Sequence, residues 1–402
     1  MLFDIGTAGV PAAAFPLCSR AGRGFAPRLC YHRWMRILVA PDKFKGSLGA
    51  AAVAANIAAG LRETLPDADI ALQPIADGGE GTVAVIAAAA GGSWHSCEVQ
   101  DAAGDLVMAR YATIDEGKNA VLETSEAAGL WRIPTEHRDP MRASSHGVGE
   151  LILATMRAGA REMIVGLGGS ATNDGGLGMA RALGFRFLAE AEELIGGPGD
   201  LLRLTRIAAP DSLRLPKITI AADVRNRLLG ETGATRTFGR QKGAAPEQIE
   251  TLEKALAKLA DIVTRDLGCD FRDQAGAGAA GGLGFGLLSF CRAELRPGFE
   301  VVAEMIGLEE KIRGADIVIT GEGRLDAQTL AGKAPAGVAK LARRWRKKVY
   351  AIVGQLEEST QILALFDGIA VLRTPQLSCA DAMKNAPQLL RERASELGRR
   401  FR

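Results

Sequence analysis

The chain has 402 residues, of which 47% are hydrophobic, enough to bury a large core and to favour two domains over one. Lysine plus arginine outnumber aspartate plus glutamate by only 49 to 47, so no strong net charge draws the protein to nucleic acid or to an anionic membrane. We therefore expect small-molecule partners, with the choice between a monomer and a homodimer left open.

Cysteine usage and the length of apolar runs bear on location. The six cysteines are widely spaced and form no CxxC pair, which is typical of reduced thiols in a cytoplasmic protein. No apolar run approaches the roughly 20 residues that span a bilayer, so we predict no membrane partner.

Residues 1–34 differ in composition from the rest of the chain. They carry four arginines against one acid, with scattered proline and glycine and no periodic apolar pattern. The positively charged start and continuous apolar centre of a secretory signal are missing. We predict a disordered extension that lies outside the fold.

From Met35 onward, short apolar runs alternate with helical patterns at both ends of the chain. The predicted strands cover residues 37–40, 70–75, 316–320, 349–353 and 369–372. After the first strand, Ser47 is a candidate N-cap for a helix with an apolar stripe at Val53, Ile57 and Leu61. Such runs are typical of parallel strands covered on both faces.

The middle of the chain has strand candidates at residues 120–123 and 218–222, longer loops and one strongly amphipathic helix beginning at Pro246. We predict an α/β protein with a discontinuous Rossmann-like parallel-sheet domain, residues 35–90 plus 298–402. A second α/β domain, residues 91–297, would be inserted into it, with a cleft between the two domains.

Residues 166–178 form the most informative segment. Six glycines and four short polar side chains follow a short apolar strand, so backbone amides are free to approach an anion. Three further clusters rich in glycine or acids occur at residues 77–81, 276–284 and 321–326. Together these clusters predict an enzyme that handles phosphate.

Acidic side chains follow the predicted strands directly. Asp42, Asp77 and Glu322 should converge on one rim, because ligands bind beyond the carboxyl ends of parallel strands. Asp174 and Asp223 would face them from the middle domain. Carboxylates gathered in this way repel one another unless a cation lies among them, which favours Mg²⁺.

Two other classes of protein stay open on the residues alone. No GxxxxGK[ST] motif occurs, whereas residues 166–171 satisfy a loose GxGxxA dinucleotide fingerprint, which would suit a nicotinamide-dependent oxidoreductase. The same glycine loops would suit a non-catalytic module that binds a phosphorylated metabolite. The many acids at the rim argue against both classes.

Six segments in chain order resemble the type I glycerate kinases of bacteria: residues 40–48, 76–82, 166–178, 241–244, 276–284 and 320–326. The resemblance implies ATP-dependent phosphorylation of D-glycerate with Mg²⁺, and it favours the 2-hydroxyl over the 3-hydroxyl as the acceptor. It also implies a two-domain protein with a discontinuous Rossmann-like domain.

Candidate site residues come from these segments and from residues 223–228, which follow a predicted strand. The predicted catalytic residues are Asp42, Lys45, Asp77, Asp174 and Asp223, with Asp223 and Asp42 as the leading candidates for the base. Asp77, Glu80 and Glu322 are the predicted Mg²⁺ ligands. The predicted substrate- and nucleotide-binding residues are Gly78, Gly79, Glu80, Gly168, Gly169, Ser170, Asn173, Asn226, Gln241, Lys242, Glu322, Arg324 and Asp326.

Four basic residues depart from the pattern of the resembled family. Lys43 lies where a serine is common, so Lys45 is the preferred candidate for an essential lysine. Arg225, Arg227 and Arg240 are added cations near the same rim, and we expect them to be surface residues.

Overall fold

The computed structural model describes residues 34–402 apart from 331 and 375, so nearly all of the predicted disordered extension lies outside the described residues. Residues Met35–Arg402 form one compact unit. The strands are β1 Arg36–Val39, β2 Asp69–Leu72, β3 Ser93–Gln100, β4 Leu106–Ile114, β5 Asn119–Glu123, β6 Glu162–Gly166, β7 Arg186–Ala189, β8 Glu192–Glu193, β9 Arg206–Ala208, β10 Lys217–Ala221, β11 Glu294–Arg296, β12 Ile317–Thr320, β13 Arg324–Leu325, β14 Lys348–Val353, β15 Gln355–Leu356 and β16 Gly368–Val371.

Helices connect most of these strands. They are α1 Ala50–Thr64, α2 Thr82–Ala90, α3 Ser125–Ala128, α4 His146–Arg157, α5 Leu177–Ala182, α6 Ala234–Phe238, α7 Pro246–Leu267, α8 Ala279–Cys291, α9 Gly298–Met305, α10 Leu308–Gly314, α11 Ala327–Leu330, α12 Ala334–Arg344, α13 Thr360–Leu363, α14 Cys379–Lys384 and α15 Ala386–Arg399.

The first sheet is entirely parallel and takes its strands from both ends of the chain, in the order β16-β14-β12-β1-β2. Strand β12 is buried at every position, and β1 and β14 are mostly buried, as apolar runs between two layers of helices should be. The predicted strands at these positions are confirmed to within one to three residues.

The second sheet comes from the middle of the chain and has the order β11-β10-β6-β5-β4-β3. Strands β5, β6, β10 and β11 are parallel, whereas β3, β4 and β5 are antiparallel neighbours. The mixed α/β class is therefore confirmed. The predicted boundaries between two separate domains stay a prediction, because residues 35–402 cluster as one unit.

Helix packing confirms the amphipathic patterns but not every predicted end. Helix α7 begins at Pro246 and buries Ile249, Leu252 and Leu256 along its predicted seam. Ser47 does not cap α1, since Gly49 is the N-cap and the Ser47 hydroxyl donates to the backbone oxygen of Met383. Among the described residues, no helix has the length and apolar character needed to cross a membrane.

Glycine allows the loops of the two sheets to meet. A Cβ on Gly78 would lie 2.7 Å from the Ala221 oxygen at the end of β10, and one on Gly298 would lie 2.1 Å from the Asp77 oxygen. Gly78 also has φ of +89°, which a side chain would strain. The carboxyl ends of β2 and β10 can therefore approach closely enough to share one cavity.

Candidate active site

The cavity between the two sheets has a volume of about 610 Å³ and opens at the carboxyl ends of the strands. Parallel strands present their loops at this edge, so the fold brings together side chains that are far apart in sequence. The predicted site residues that line it are Asp42, Lys45, Asp77, Gly79, Glu80, Gly168, Gly169, Asp223, Glu322, Arg324 and Asp326.

Asp42 and Asp77 share one cation, the ammonium of Lys43. The Lys43 Nζ lies 3.8 Å from Asp42 Oδ1 and 3.7 Å from Asp77 Oδ1. Burial raises the pKa of Asp42 to about 7, with Lys43 opposing and Asp77 adding to that rise. Burial alone would lower the pKa of Lys43, but the surrounding carboxylates outweigh it and raise that pKa.

Glu322 is, like Asp42, a buried acid that lines the cavity. The Thr329 hydroxyl donates to its Oε1 at 2.7 Å, which fixes the carboxylate at the end of β12. Burial raises the pKa of Glu322 to about 7, and the charges of Asp42 and Asp77 add to the rise against the opposing effect of Lys333. These acids therefore act as one electrostatic group.

Asp223 is held differently, because the backbone binds only one of its oxygens. Its Oδ1 accepts from Gly298 N at 2.8 Å and from Phe299 N at 3.4 Å, at the start of α9. Its Oδ2 is buried and has no hydrogen-bond partner among the described residues. Burial and then Asp77 raise the pKa of Asp223 to about 7, although the two N–H donors oppose the rise.

The loop after β6 supplies backbone donors on the other side of the cavity. Gly168 and Gly169 line the cavity, and neither N–H donates a hydrogen bond within the part of the chain that is described. A Cβ on Gly168 would lie 3.1 Å from the Cα of Gly79, so a side chain there would push the two loops slightly apart. These amides can bind an anion.

The outer rim is more exposed. Glu80 and Lys45 are exposed lining residues, and Arg324 forms ion pairs with Asp326 at 3.5 Å and with Glu357 at 3.0 Å. Because the Arg324 side chain is 59% exposed, these pairs can exchange for a substrate at little cost.

Asp174 is not brought to the cavity, contrary to its predicted catalytic role. It is 1% exposed and accepts from the Ser145 backbone N and hydroxyl, and from the N–H groups of Gly176 and Gly178. Both of its oxygens accept hydrogen bonds from the protein, and the side chain does not line the cavity. Asp174 fastens the glycine loop to the start of α4 instead.

Lys242 is also buried and does not line the cavity. Its buried ammonium donates to the Ser170 hydroxyl at 3.2 Å and to the Thr172 backbone oxygen at 2.6 Å. Burial lowers the pKa of Lys242 to about 7, with Asp174 opposing the shift. Ser170 and Lys242 therefore bind each other and do not line the cavity, although both were predicted to bind substrate.

The remaining predicted binding residues that miss the cavity have other partners. Asn173 donates to the Thr235 hydroxyl, Asn226 donates to Thr232 O, and Gly78 packs against Ala221. Gln241 is exposed and does not line the cavity.

The glycines of residues 276–284 likewise serve packing. A Cβ on Gly281 would lie 1.9 Å from Thr172 O, and one on Gly282 would lie 3.0 Å from the Gly175 Cα. They let α8 approach the glycine loop. Arg225, Arg227 and Arg240 are exposed and do not line the cavity, which confirms that they are surface residues.

Sequence reasoning missed several lining or supporting residues. The sequence favours Lys45 over Lys43 as the essential lysine, although a lysine next to a strand-end aspartate is itself a signal for an ion pair. Thr329 and Glu123 do not line the cavity but hydrogen-bond to residues that support it. Thr329 donates to Glu322, and Glu123 accepts from Gly81 N and Val83 N at the start of α2. An apolar wall of the cavity, contributed by α14, α15 and the end of β16, carries no motif at all.

The acids fit a divalent cation that is also held by a substrate. In the described part of the chain, no group of three or more acidic, histidine or cysteine side chains is arranged to hold a metal ion by itself. Mg²⁺, however, is usually held by one or two carboxylates together with phosphates and water. Asp42 and Asp77 fit this requirement, because both already approach one cation.

Comparison with known proteins gives one consistent answer. A model described as the glycerate kinase family matches residues 37–402. The chain is 44% identical to a glycerate kinase of Haemophilus influenzae, over 82% of this chain and 88% of that protein. It is 43% identical to glycerate 2-kinase of Escherichia coli, over 82% of this chain and 87% of that protein.

A solved structure agrees. A crystal structure described as glycerate kinase 2 from Salmonella typhimurium LT2 superposes with a TM-score of 0.80 and 42% identity, over 92% of this chain and 98% of that chain. These matches support neither a nicotinamide-dependent oxidoreductase nor a non-catalytic binding module. The chain therefore belongs to the glycerate kinase family and is an ATP-dependent kinase.

Proposed function

We propose that this protein transfers the γ-phosphoryl group of ATP to the 2-hydroxyl of D-glycerate, giving 2-phospho-D-glycerate and ADP. The single observation that carries the proposal is the unpaired Oδ2 of Asp223 beside the acids of the cavity. A buried carboxylate with one anchored and one free oxygen can accept a proton from a bound hydroxyl.

The proton transfer is assigned to Asp223. As the glycerate oxygen forms its bond to the γ-phosphorus, the hydroxyl proton passes to Asp223 Oδ2 and the bond to the bridging oxygen of ADP breaks. A pKa of about 7 suits this role, because such a carboxylate is largely ionised just above neutral pH yet basic enough to hold the proton. Asp42 is the second candidate, but its Oδ1 already accepts from Lys43 N.

Mg²⁺ would be held by Asp42 and Asp77, with Glu322 and Glu80, which line the same cavity, as further candidate ligands. When bound, it neutralises charge on the nucleotide phosphates. Lys43 is placed to contact the same phosphates, since its ammonium is between the two aspartates. Repulsion between the carboxylates supports this Mg²⁺ site. The charges of neighbouring acids add to the raised pKa values of Asp42 and Glu322, and a bound cation would relieve the repulsion.

Anionic groups of the substrates would be bound by the backbone and by the outer cations. The free N–H groups of Gly168 and Gly169 suit the transferred phosphoryl group, because both residues line the cavity and backbone N–H groups are strong donors to anions. Lys45 would contact the phosphates, and Arg324 is the candidate partner of the glycerate carboxylate. Gly79 and Asp326 complete the rim.

The test is an ADP-release assay with purified protein, Mg²⁺, ATP and D-glycerate, followed by phosphorus NMR of the product. We expect ADP release that requires D-glycerate, with L-glycerate as the stereochemical control, and phosphate on the 2-hydroxyl. Phosphate on the 3-hydroxyl would overturn the position, and folded protein without turnover would overturn the substrate.

We also propose a cytoplasmic homodimer, on narrower support. The described cysteines Cys97, Cys269, Cys291 and Cys379 are all free thiols, which suits a reducing compartment. Trp94, Met108 and Trp131 are large exposed side chains of the kind that mark protein interfaces. Light scattering after gel filtration gives the mass in solution, and a monomer would remove the dimer from the proposal.

A further inference from the structure

The active-site cavity has two parts of different chemistry. One part holds Asp42, Asp77, Asp223 and Glu322 together with Lys43. The other part is an apolar wall, which we define as Leu372, Cys379, Ala382, Met383 and Ala386, at the end of β16 and along α14 and α15. Phe44 also lines the cavity and is 4% exposed.

The apolar wall is fastened to the catalytic part at two points. The Ser47 hydroxyl donates to Met383 O at 2.7 Å, which ties α14 to the turn after Asp42. The Gln355 side chain donates to Cys379 Sγ at 3.2 Å, which ties α14 to β15. The wall is thus held as a fixed surface of the cavity and is not a loose cover.

We propose that the apolar wall is the binding site for the purine base of ATP. This inference rests on the proposed function. D-glycerate carries a carboxylate and two hydroxyls on three carbons, so it has no apolar surface that the wall could bury. The triphosphate is charged and also has no apolar surface, so it belongs beside the lysines and backbone amides. The base is the one neutral, flat part of the two substrates, and apolar contact stabilises it.

A second cavity of about 550 Å³ is the competing site. It contains Trp94 and Trp131, whose rings could stack on a base, and it touches Glu80. However, Arg110 already lies 5.2 Å from the Trp94 ring centroid, and Arg132 lies 4.4 Å from that of Trp131. One face of each ring is therefore already covered by a guanidinium group, so the apolar wall is favoured.

Steady-state kinetics of Met383→Ala tests the wall. Removal of the thioether should raise KM for MgATP by about fivefold to tenfold, the loss expected for the apolar groups removed. KM for D-glycerate and kcat should stay within about twofold, because the charged part of the cavity is unchanged. The matched control is Leu363→Ala, which removes a similarly exposed apolar side chain outside the cavity.

Cys379 provides a second readout that does not depend on turnover. We would follow its alkylation by iodoacetamide with peptide mass spectrometry, with Cys97, which is outside the cavity, as the internal control. ATP and adenosine should both slow the alkylation of Cys379, whereas inorganic tripolyphosphate and D-glycerate should not. Since adenosine needs no phosphate site, its protection identifies the base.

The outcomes separate the two proposals. Protection by adenosine in a protein that does not phosphorylate glycerate would leave the base site standing and overturn the proposed reaction. Normal turnover with equal protection by tripolyphosphate and adenosine, or with an unchanged KM for MgATP in Met383→Ala, would overturn the base site. An increased KM for MgATP in Trp131→Ala, with Met383→Ala unaffected, would assign the base to the second cavity.

Discussion

Asp174, in the loop after β6, and Asp223, just after β10, have opposite environments. Asp174 accepts four hydrogen bonds and holds a loop in place. Asp223 accepts only at Oδ1 and keeps Oδ2 unpaired beside Asp42 and Asp77. Both aspartates follow a strand in the sequence, yet of the two only Asp223 lines the cavity.

The same contrast separates two lysines. Lys43 lies between two carboxylates at the edge of the cavity, where their charges raise its pKa. Lys242 is buried against the Ser170 hydroxyl and a backbone oxygen, and burial lowers its pKa to about 7. Glycine and charge occur in both regions. What distinguishes the proposed catalytic region from the structural one is whether each polar group already has its hydrogen-bond partners within the fold.

Asp223→Asn is the strongest test of this comparison. Asparagine keeps an oxygen that can accept from Gly298 N, but it cannot take the hydroxyl proton, so kcat should fall by about 10²- to 10⁴-fold. The midpoint of urea unfolding at pH 7 should not fall. Near-normal turnover would remove Asp223 as the base and leave Asp42 as the candidate.

Asp174→Ala should show the opposite pattern. Four donors, among them the Ser145 hydroxyl and the N–H groups of Gly176 and Gly178, would lose their acceptor in a buried place. We expect a loss of about 2 to 4 kcal/mol in the free energy of unfolding, measured by urea denaturation. The exposed Asp67→Ala is the control. A stable but inactive Asp174→Ala protein would contradict the structural role and restore the predicted catalytic one.

The lysines of the cavity allow a sharper comparison of rim residues. Lys43→Met removes the cation between Asp42 and Asp77, so kcat/KM should fall by about 10- to 100-fold. Lys45→Met should have a smaller effect, because the Lys45 side chain is exposed. Measuring kcat/KM of both variants at saturating Mg²⁺ shows which lysine contributes more to turnover. A larger loss of kcat/KM in Lys45→Met would favour the sequence-based preference for Lys45.

The unpaired state of Asp223 should also appear in the pH dependence of stability. Its pKa in the folded protein is raised from 3.8 to about 7, so between these values the folded state keeps a proton that the unfolded state loses. Stability therefore falls as pH rises through this window, and the penalty is complete above pH 7. Asp223→Asn lacks this penalty.

In urea titrations with EDTA and without nucleotide, the stability of Asp223→Asn relative to wild type should therefore increase between pH 5 and pH 8, by on the order of 1 to 2 kcal/mol. Asp42 and Glu322 remain in both proteins, so the difference isolates Asp223. A difference that does not change with pH would mean that Asp223 is not held in a strained ionised state.

Much of the fold could be predicted from the sequence, because apolar runs such as residues 37–40 and 349–353 are long enough to specify buried parallel strands. The strand-end acids Asp42, Asp77, Asp223 and Glu322 could be predicted for the same reason, since topology gathers the carboxyl ends of strands.

What could not be predicted depends on contacts between distant residues. The hydrogen bonds that occupy Asp174 come from Ser145 and from its own loop, and neither leaves a pattern in the sequence. The ammonium of Lys242 meets Ser170 across 72 positions of chain. The apolar wall consists of ordinary helix residues such as Ala382 and Met383, whose role depends only on where α14 packs.

Lys242→Met gives the smallest expected effect and tests the structural half of the comparison. The ordinary lysine pKa of 10.5 is lowered to about 7 in the folded protein, so between these values the unfolded state binds a proton that the folded state does not. Wild-type stability should therefore rise with pH across this window relative to Lys242→Met, by on the order of 1 kcal/mol between pH 7.5 and 9.5.

Methionine has a similar length and fills the same space, which limits any loss of packing, and KM for ATP and D-glycerate should stay unchanged. Parallel stability curves for the two proteins would mean that Lys242 is charged in the fold, and a large increase in either KM would place it back in the substrate site.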